Sequence, residues 1–140
     1  MSLVIDASVA AKWYNVERLS ERAAEVKEAY VKGDLQLAAP FHIIYEVGNS
    51  IWKNKQLTAQ DANEAIASLL RLGMELLEPK TEGTCRAMEI ARIKKATFYD
   101  ALYIQAAEEL DTALLTADEL QIVASKGITK VIHLKDYYRQ

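Results

Sequence analysis

Short apolar segments alternate with longer helical segments along the chain, and this alternation limits the possible folds more than any other feature. The apolar segments have the length of buried strands, and the segments between them show the apolar spacing of helices. Strands separated in this way by helices pair in parallel, because the helix returns the chain to the same edge of the sheet. The predicted strands are residues 2–5, 35–39, 74–77, 112–116 and 130–134.

The segments between these strands are predicted to be helices. The run from Thr58 to Asp61 has the form of a capping box, with Asp in place of the usual Glu, and so indicates a helix start. Gly127 indicates the end of the last helix. Residues 135–140 are predicted to form a polar tail. The predicted helices are residues 7–14, 17–32, 42–54, 84–95, 97–110 and 118–126, and one that begins at residue 58.

The length of 140 residues predicts one domain that spans residues 1–140. Cys85 is the only cysteine, which excludes an internal disulfide and suits a reducing cytoplasm. Asp6 interrupts the apolar start of the chain, so we do not expect a secretory signal. No stretch approaches the ~18 apolar residues that cross a membrane. We therefore expect a cytoplasmic protein with no membrane partner.

Two acids lie where two of the predicted strands end. Asp6 directly follows the first strand, and Asp118 follows the fourth strand after a single residue. In an open parallel sheet, binding and catalytic sites form at the edge where the carboxyl ends of the strands meet. Asp6 and Asp118 are therefore candidates for one shared site. The alternative for each is a structural role as the cap of the helix that follows it.

Two further acids lie inside predicted helices. Asp100 shares a helix face with Ile104 and Ala107, which should face the interior, and burial of an isolated carboxylate is costly. Its alternative role is to complete a capping box with Thr97. Glu46 lies in the helix that follows the second strand, where the alternative is a solvated surface position. A capping or surface carboxylate can also face a metal, so these alternatives do not exclude a site.

Four carboxylates in one place would repel each other and bind protons unless a cation neutralised them. Mg²⁺ and Mn²⁺ prefer sites that are made of oxygen ligands. The chain lacks the His and Cys clusters typical of zinc sites, since His42 and His133 stand alone. A divalent ion in an acidic site can activate water and stabilise charge on a phosphate, so we expect hydrolysis of phosphodiester bonds.

Each of the four acids lies within a short motif. The motifs are Val4-Ile5-Asp6-Ala7-Ser8, Glu46-Val47, Tyr99-Asp100-Ala101-Leu102-Tyr103 followed by Ala106-Ala107, and Leu115-Thr116-Ala117-Asp118-Glu119. None is specific by itself, but together, in this order and over nearly the whole chain, they resemble the PIN domain family. The resemblance is strongest to the VapC-type toxins of that family.

The resemblance implies a three-layer α/β/α fold with a mainly parallel central sheet covered by helices. It also implies a Mg²⁺-dependent endoribonuclease in which Mn²⁺ can substitute, a homodimer, and a VapB-like antitoxin that covers the site. By position, the catalytic and metal-binding acids would be Asp6, Glu46, Asp100 and Asp118. Glu46 would bind through water or orient the attacking water. Ser8 and Thr116 match hydroxyl positions that support the first and last acids, and only Glu119 lies near the place of a further acid seen in some relatives.

The formal net charge of −3 excludes a broadly cationic surface that binds nucleic acid by charge alone. RNA would therefore be held by bound metal or by a local basic patch. Solubility on an exposed face is the alternative role for every lysine that lies near a proposed acid in sequence. The candidate phosphate contacts are Lys12, Lys53, Lys94 and Lys95.

Three other functions remain open on the sequence. A PIN nuclease of RNA processing or turnover would have the same chemistry but no adjacent antitoxin gene. A PIN-like binding module would have lost cleavage, and the complete set of four acids argues against it. A phosphotransfer or receiver domain also places Asp at strand ends, but an aspartyl phosphohydrolase would need a second Asp where this chain has Ser8.

Overall fold

The computed structural model describes residues 1–138, so Arg139 and Gln140 of the predicted tail lie outside the described residues. The strands are β1 (Ser2–Ile5), β2 (Gln36–Pro40), β3 (Glu75–Leu77), β4 (Ala113–Thr116) and β5 (Val131–His133). The α-helices are α1 (Ala7–Ala10), α2 (Ser20–Val31), α3 (Ile43–Lys53), α4 (Ala59–Arg71), α5 (Thr81–Lys94), α6 (Phe98–Glu109) and α7 (Glu119–Ser125). No helix within residues 1–138 is long and apolar enough to cross a bilayer.

The strands form one parallel sheet in the order β3-β2-β1-β4-β5. β1 is the central strand and pairs with β2 on one side and β4 on the other. The parallel arrangement follows from the helices that connect the strands, and helices that cover both faces explain why β4 is buried throughout. The predicted three-layer α/β/α fold with a parallel sheet is confirmed.

Helix α6 brings an acid to the edge of the sheet. It packs against β1, β2 and β4 through buried small and apolar residues that include Ala101, Ile104 and Ala107. Because α6 leads into the start of β4, its first turn lies near the carboxyl ends of the strands. Asp100 is in that first turn, and Glu46 is in the first turn of α3, which directly follows β2. Both helical acids are therefore placed at the same edge as Asp6.

Most element boundaries lie within three residues of the prediction, and the differences have local causes. The helix predicted from residue 17 begins at Ser20, because Leu19 has a left-handed backbone with φ of 68°. The strand predicted to stop before Pro40 includes it, since the next backbone N–H, of Phe41, still donates to the carbonyl of Leu77 at 2.9 Å. The predicted polar tail carries a buried residue, Tyr137, which is 6% exposed.

Candidate active site

Asp6 is held by two hydroxyl groups at the end of β1. Its side chain is almost fully buried, with the residue 4% exposed. Oδ1 accepts hydrogen bonds from the backbone N–H of Ser8 at 3.1 Å and from the Ser8 hydroxyl at 2.5 Å. Oδ2 accepts the hydroxyl of Thr116 at 2.5 Å. Since β1 pairs with β4, the sheet itself brings Thr116 to this carboxylate.

The same hydroxyls tie the turn after β1 to the turn after β4. The Ser8 oxygen accepts the backbone N–H of Ala117 at 2.8 Å, and the Thr116 oxygen accepts that of Asp118 at 3.0 Å. Asp118 in turn caps α7, because its Oδ1 accepts the backbone N–H of Leu120 at 2.9 Å. The predicted cap role of Asp118 is therefore confirmed, and it coexists with a position beside the other acids.

Burial raises the pKa of Asp6 from its ordinary 3.8 to about 6. The hydroxyls of Ser8 and Thr116 act in the opposite direction, because they stabilise the ionised form. The negative charge of Asp118 adds to the rise. The carboxylate at the centre of the sheet edge is thus ionised at a cost that its hydrogen bonds do not fully offset.

Glu46 is held by two donors, one that directly precedes α3 and one on α6. The hydroxyl of Tyr103 donates to Oε1 of Glu46 at 2.7 Å, and Nε2 of His42 lies 3.2 Å from the same oxygen. Burial acts to raise the pKa of Glu46, but the contacts with His42 and Tyr103 outweigh it, and the pKa is lowered. Burial and the charge of Glu46 raise the pKa of Tyr103, so its hydroxyl stays protonated and remains a donor.

Asp100 interacts electrostatically both with Asp118, at the end of a strand, and with Glu46. It is half-buried, and its backbone N–H donates to the hydroxyl oxygen of Thr97 at 3.1 Å, as the predicted capping box requires. Burial raises the pKa of Asp100; the Thr97 hydroxyl opposes this, and the charges of Asp118 and Glu46 raise the pKa further. Asp118 acts on Asp6 in the same way. Each of the four acids is therefore repelled by at least one other, and the three repelling pairs link them into one unbroken series.

The sequence comparison supplies the family. The PIN domain family model matches residues 3–126, a range that contains all four acids. The chain belongs to the PIN domain family. It is 34% identical over 123 residues to Ribonuclease VapC3 of Pyrobaculum aerophilum, which covers 84% of this chain and 90% of that protein. It is 30% identical over 107 residues to Exonuclease VapC9 of the same organism, which covers 74% of this chain and 78% of that protein.

The fold comparison agrees with the sequence comparison. A structure described as a toxin–antitoxin complex from Klebsiella pneumoniae superposes on this PIN domain with a TM-score of 0.67, over 94% of this chain and 97% of that chain. Its sequence is 15% identical, so this likeness is one of fold. The resemblance to the PIN family and to its VapC-type members, predicted from the sequence motifs, is confirmed.

The acids of this PIN domain suit a magnesium ion but do not form a closed set of ligands. Within residues 1–138, no three His, Cys, Asp or Glu side chains are close enough together to hold one ion between them. Both oxygens of Asp6 face hydroxyls, and Oδ1 of Asp118 faces the backbone. Mg²⁺ commonly keeps several waters and takes only one or two carboxylates directly, and its preferred ligand is oxygen. The donor chemistry therefore fits Mg²⁺ with water in the remaining positions.

Glu119, the acid closest in sequence to Asp118, lies apart from this set. Its Oε1 is 3.2 Å from Nε2 of His133 on β5, and its side chain is 75% exposed. Glu119 therefore contacts β5, and it does not serve as a fifth acid of the candidate site.

Two of the four candidate lysines have protein partners. Nζ of Lys12 lies 2.9 Å from Oε1 of Glu17, and its side chain is only 10% exposed. Nζ of Lys94 donates to the carbonyl of Lys126 at 2.5 Å, which ties the end of α5 to the end of α7. A phosphate would have to compete with these contacts. The two exposed candidates are Lys53 and Lys95.

Three residues that support the acids were not predicted from the sequence. His42 and Tyr103 hold Glu46, as described above. Gln121 is 1% exposed, and its Nε2 donates to the backbone carbonyl of Asp100 at 3.1 Å, which links α7 to α6. Helical spacing was the available signal. His42 lies four residues before Glu46, Tyr103 three after Asp100, and Gln121 three after Asp118.

Proposed function

We propose that this PIN domain is a Mg²⁺-dependent endoribonuclease, with Mn²⁺ able to substitute. The observation that carries the proposal is the unbroken series of repulsions among four carboxylates, with the pKa of Asp6 raised to about 6. A bound divalent cation would relieve these repulsions and keep the acids ionised at neutral pH. The catalytic acids of the proposal are Asp6, Glu46, Asp100 and Asp118.

The acids have different tasks in this proposal. Asp6, Asp100 and Asp118 hold the ion directly or through water. When bound, the ion lowers the pKa of a water molecule and stabilises charge on the phosphate oxygens. Glu46, whose own pKa is lowered, stays ionised and accepts a hydrogen bond from the attacking water, which it orients. Ser8 and Thr116 keep the Asp6 carboxylate in one orientation.

The choice of RNA as substrate is supported by the name of one relative, Ribonuclease VapC3. The name of the other, Exonuclease VapC9, describes attack from a chain end, so the endonuclease part of the proposal needs its own test. Circular RNA has no ends and is cut only by an endonuclease. The alternative of a PIN-like module that binds without cleaving predicts that neither circular nor linear RNA is cut.

We also propose that the protein is the toxin of a pair, with a VapB-like antitoxin and a homodimeric state, in the cytoplasm. The toxin role and the antitoxin partner are supported by the likeness of its fold to a toxin–antitoxin complex and by its relatives among the VapC proteins. An adjacent reading frame whose product co-purifies with this chain and blocks cleavage would support the proposal. A PIN nuclease of RNA processing would have no such inhibitor, which distinguishes the two roles.

The first test compares the native protein with Asp100→Asn on linear and circular single-stranded RNA in Mg²⁺, Mn²⁺ or EDTA. We expect metal-dependent cleavage of both RNAs, lost in Asp100→Asn while the melting temperature is maintained. Asp61→Asn is the matched control. Asp61 follows a capping threonine at the same spacing, with its N–H 3.1 Å from the Thr58 oxygen, but it is an exposed residue of α4. It should cleave as the native protein does.

Two results would contradict this mechanism. Absence of cleavage with either metal would rule out the nuclease proposal for these RNAs and favour the binding module. Equal cleavage by Asp100→Asn and native protein would show that the acids do not catalyse the reaction and would point to a contaminating nuclease. Cleavage of linear but not circular RNA would keep the metal-dependent site and replace the endonuclease with an exonuclease.

A further inference from the structure

Glu46 is held at one of its two oxygens only. Tyr103 donates its hydroxyl to Oε1 at 2.7 Å, and Nε2 of His42 lies 3.2 Å from that same oxygen. The other oxygen, Oε2, accepts no hydrogen bond from the part of the chain that the structure describes. The two contacts therefore fix one side of the carboxylate and leave the other side free for solvent.

The imidazole of His42 is oriented as a donor. Its Nε2 also lies 3.1 Å from the backbone carbonyl oxygen of Tyr99. Both neighbours of this nitrogen are acceptors, so Nε2 carries a hydrogen. Nδ1 is buried and has no hydrogen-bond partner among residues 1–138, so the ring reaches its neighbours through Nε2.

The donors belong to a packed cluster of three rings, His42, Tyr99 and Tyr103. The His42 ring is stacked on that of Tyr99 at 5.5 Å and lies 4.5 Å from that of Tyr103, which is 1% exposed. Packing of this kind limits the rotamers available to each donor. His42 directly precedes α3, which carries Glu46, and both tyrosines lie on α6, which carries Asp100. The cluster thus joins the two helices that supply these acids.

We propose that Tyr103 and His42 are positioning residues, which hold Glu46 through Oε1 so that Oε2 can orient the attacking water. This inference rests on the proposed function. Neither residue is required to touch substrate, since both act through Glu46. The charges of Glu46 and Asp100 repel each other, and the Glu46 side chain is 35% exposed. Without the two donors, Glu46 would be free to turn away from Asp100 into solvent.

The test removes one oxygen atom. Tyr103→Phe keeps the ring and its packing but deletes the donor to Glu46. We expect kcat to fall about 10- to 100-fold, the range found when partners of ligating groups are removed, with KM within about twofold of native. The matched control is Tyr30→Phe, which deletes a hydroxyl that donates to the carbonyl of Leu72, also at 2.7 Å. It should leave kcat at the native value.

A double-mutant cycle separates positioning from general packing. In a Glu46→Gln background, Tyr103→Phe should cause no further loss of kcat, because the carboxylate that it positions is already absent. A purely structural role for the hydroxyl would slow both backgrounds by the same factor and would overturn the inference. His42→Gln keeps an N–H donor and should retain more activity than His42→Leu.

A readout that does not need cleavage distinguishes this inference from the proposed function. Because Glu46 would also help to hold the ion through the water that it orients, Mn²⁺ affinity, measured from the electron paramagnetic resonance signal of the free ion, should weaken about tenfold in Tyr103→Phe and stay native in Tyr30→Phe. If the native protein binds Mn²⁺ but cuts no RNA, the proposed function fails and the affinities alone decide the positioning role. If the native protein cuts RNA and Tyr103→Phe matches it in kcat and affinity, only the positioning role fails.

Discussion

The two halves of the candidate site are held together by different interactions. The strand half consists of Asp6, Ser8, Thr116 and Asp118. The helix half consists of His42, Glu46, Asp100 and Tyr103. In the strand half, short hydroxyl side chains and backbone N–H groups from two adjacent turns surround a buried acid. In the helix half, two aromatic donors hold Glu46, and both Glu46 and Asp100 are partly exposed.

Because of this difference, we expect substitutions in the two halves to affect stability and cleavage differently. The strand half is fixed by the pairing of β1 with β4, so its hydrogen bonds are part of the sheet edge and contribute to folding. The helix half depends on how α3 and α6 pack, and its acids have access to water if a donor is lost. Changes in the strand half should therefore alter both stability and cleavage, whereas changes in the helix half should alter cleavage alone.

The largest effect is expected from Asp6→Asn, with opposite signs for cleavage and stability. In the proposed mechanism Asp6 holds the ion, so its loss would remove several kcal/mol of transition-state stabilisation and cleavage should fall about 1000-fold or more. The folded pKa of Asp6, about 6, is above its ordinary 3.8, so the ionised group lowers the free energy of unfolding. This cost is absent at acidic pH, develops as the pH rises from 3.8 to about 6, and is complete above that range.

Urea denaturation in EDTA measures this cost. The difference between the two pKa values corresponds to ~3 kcal/mol, and lost hydrogen bonds reduce the expected gain in Asp6→Asn to about 1–3 kcal/mol near pH 7. The gain should vanish near pH 4. The same measurement on Asp61→Asn, which changes an exposed carboxylate, is the control. If Asp6→Asn were less stable than the native protein at neutral pH, this would contradict the prediction that the ionised Asp6 carboxylate lowers the free energy of unfolding.

A second effect, of intermediate size, is expected from Thr116→Val. Valine keeps the shape of this fully buried side chain but removes the hydroxyl that donates to Asp6 and accepts from the N–H of Asp118. Cleavage should fall about 10- to 100-fold, and the free energy of unfolding should fall by about 1.5–3 kcal/mol, as for a hydrogen bond to a charged group.

The control for Thr116→Val is Thr129→Val. The Thr129 hydroxyl donates to the carbonyl of Thr112 at 3.1 Å, away from the acids, so this change should cost about 1 kcal/mol and leave cleavage intact. The contrast between the halves also requires that Tyr103→Phe, in the helix half, lowers kcat with little change in stability. Equal destabilisation by Thr116→Val and Tyr103→Phe would remove that contrast.

The smallest effect is expected from Gln121→Leu. Gln121 bonds to the backbone of Asp118 in the strand half and to that of Asp100 in the helix half. The change removes the hydrogen bond from Nε2 to the Asp100 carbonyl, but it also removes Oε1, a buried acceptor that has no partner within residues 1–138. The two contributions oppose each other, so stability should change by less than about 1 kcal/mol while cleavage falls a few-fold. A loss of cleavage above about tenfold would mean that Asp100 depends on the strand half for its position.

The sequence was sufficient for the fold, and it nominated four acids whose catalytic role stays a prediction, because both inferences rest on local patterns. β1 was predicted with its observed bounds, Ser2–Ile5, since an apolar run ends there at a charged residue. Asp6 and Asp118 were found through their positions after strands, and Asp100 through an acid on an apolar helix face. The start of α2 was missed because the left-handed backbone of Leu19 leaves no clear signal in a leucine.

The supporting contacts of the helix half could not be predicted in the same way. Tyr103 and Glu46 are 57 residues apart in the chain, and their contact depends on the packing of α6 against α3. In the sequence His42 stands alone, and only the structure places its Nε2 beside Glu46. The sequence showed that Lys12 and Lys94 are close to proposed acids along the chain. It did not show that Glu17 and the carbonyl of Lys126 bind them. The metal and the RNA substrate stay predictions.

The central position of β1 has a consequence for synthesis on the ribosome. The bond between Asp6 and Thr116 spans 110 residues, and that between the Ser8 hydroxyl and the N–H of Ala117 spans 109. Contacts of such high contact order form only after the intervening chain has emerged. A nascent chain that has not yet released β4 therefore lacks the Thr116 hydroxyl beside Asp6, and the candidate site is complete only late in translation.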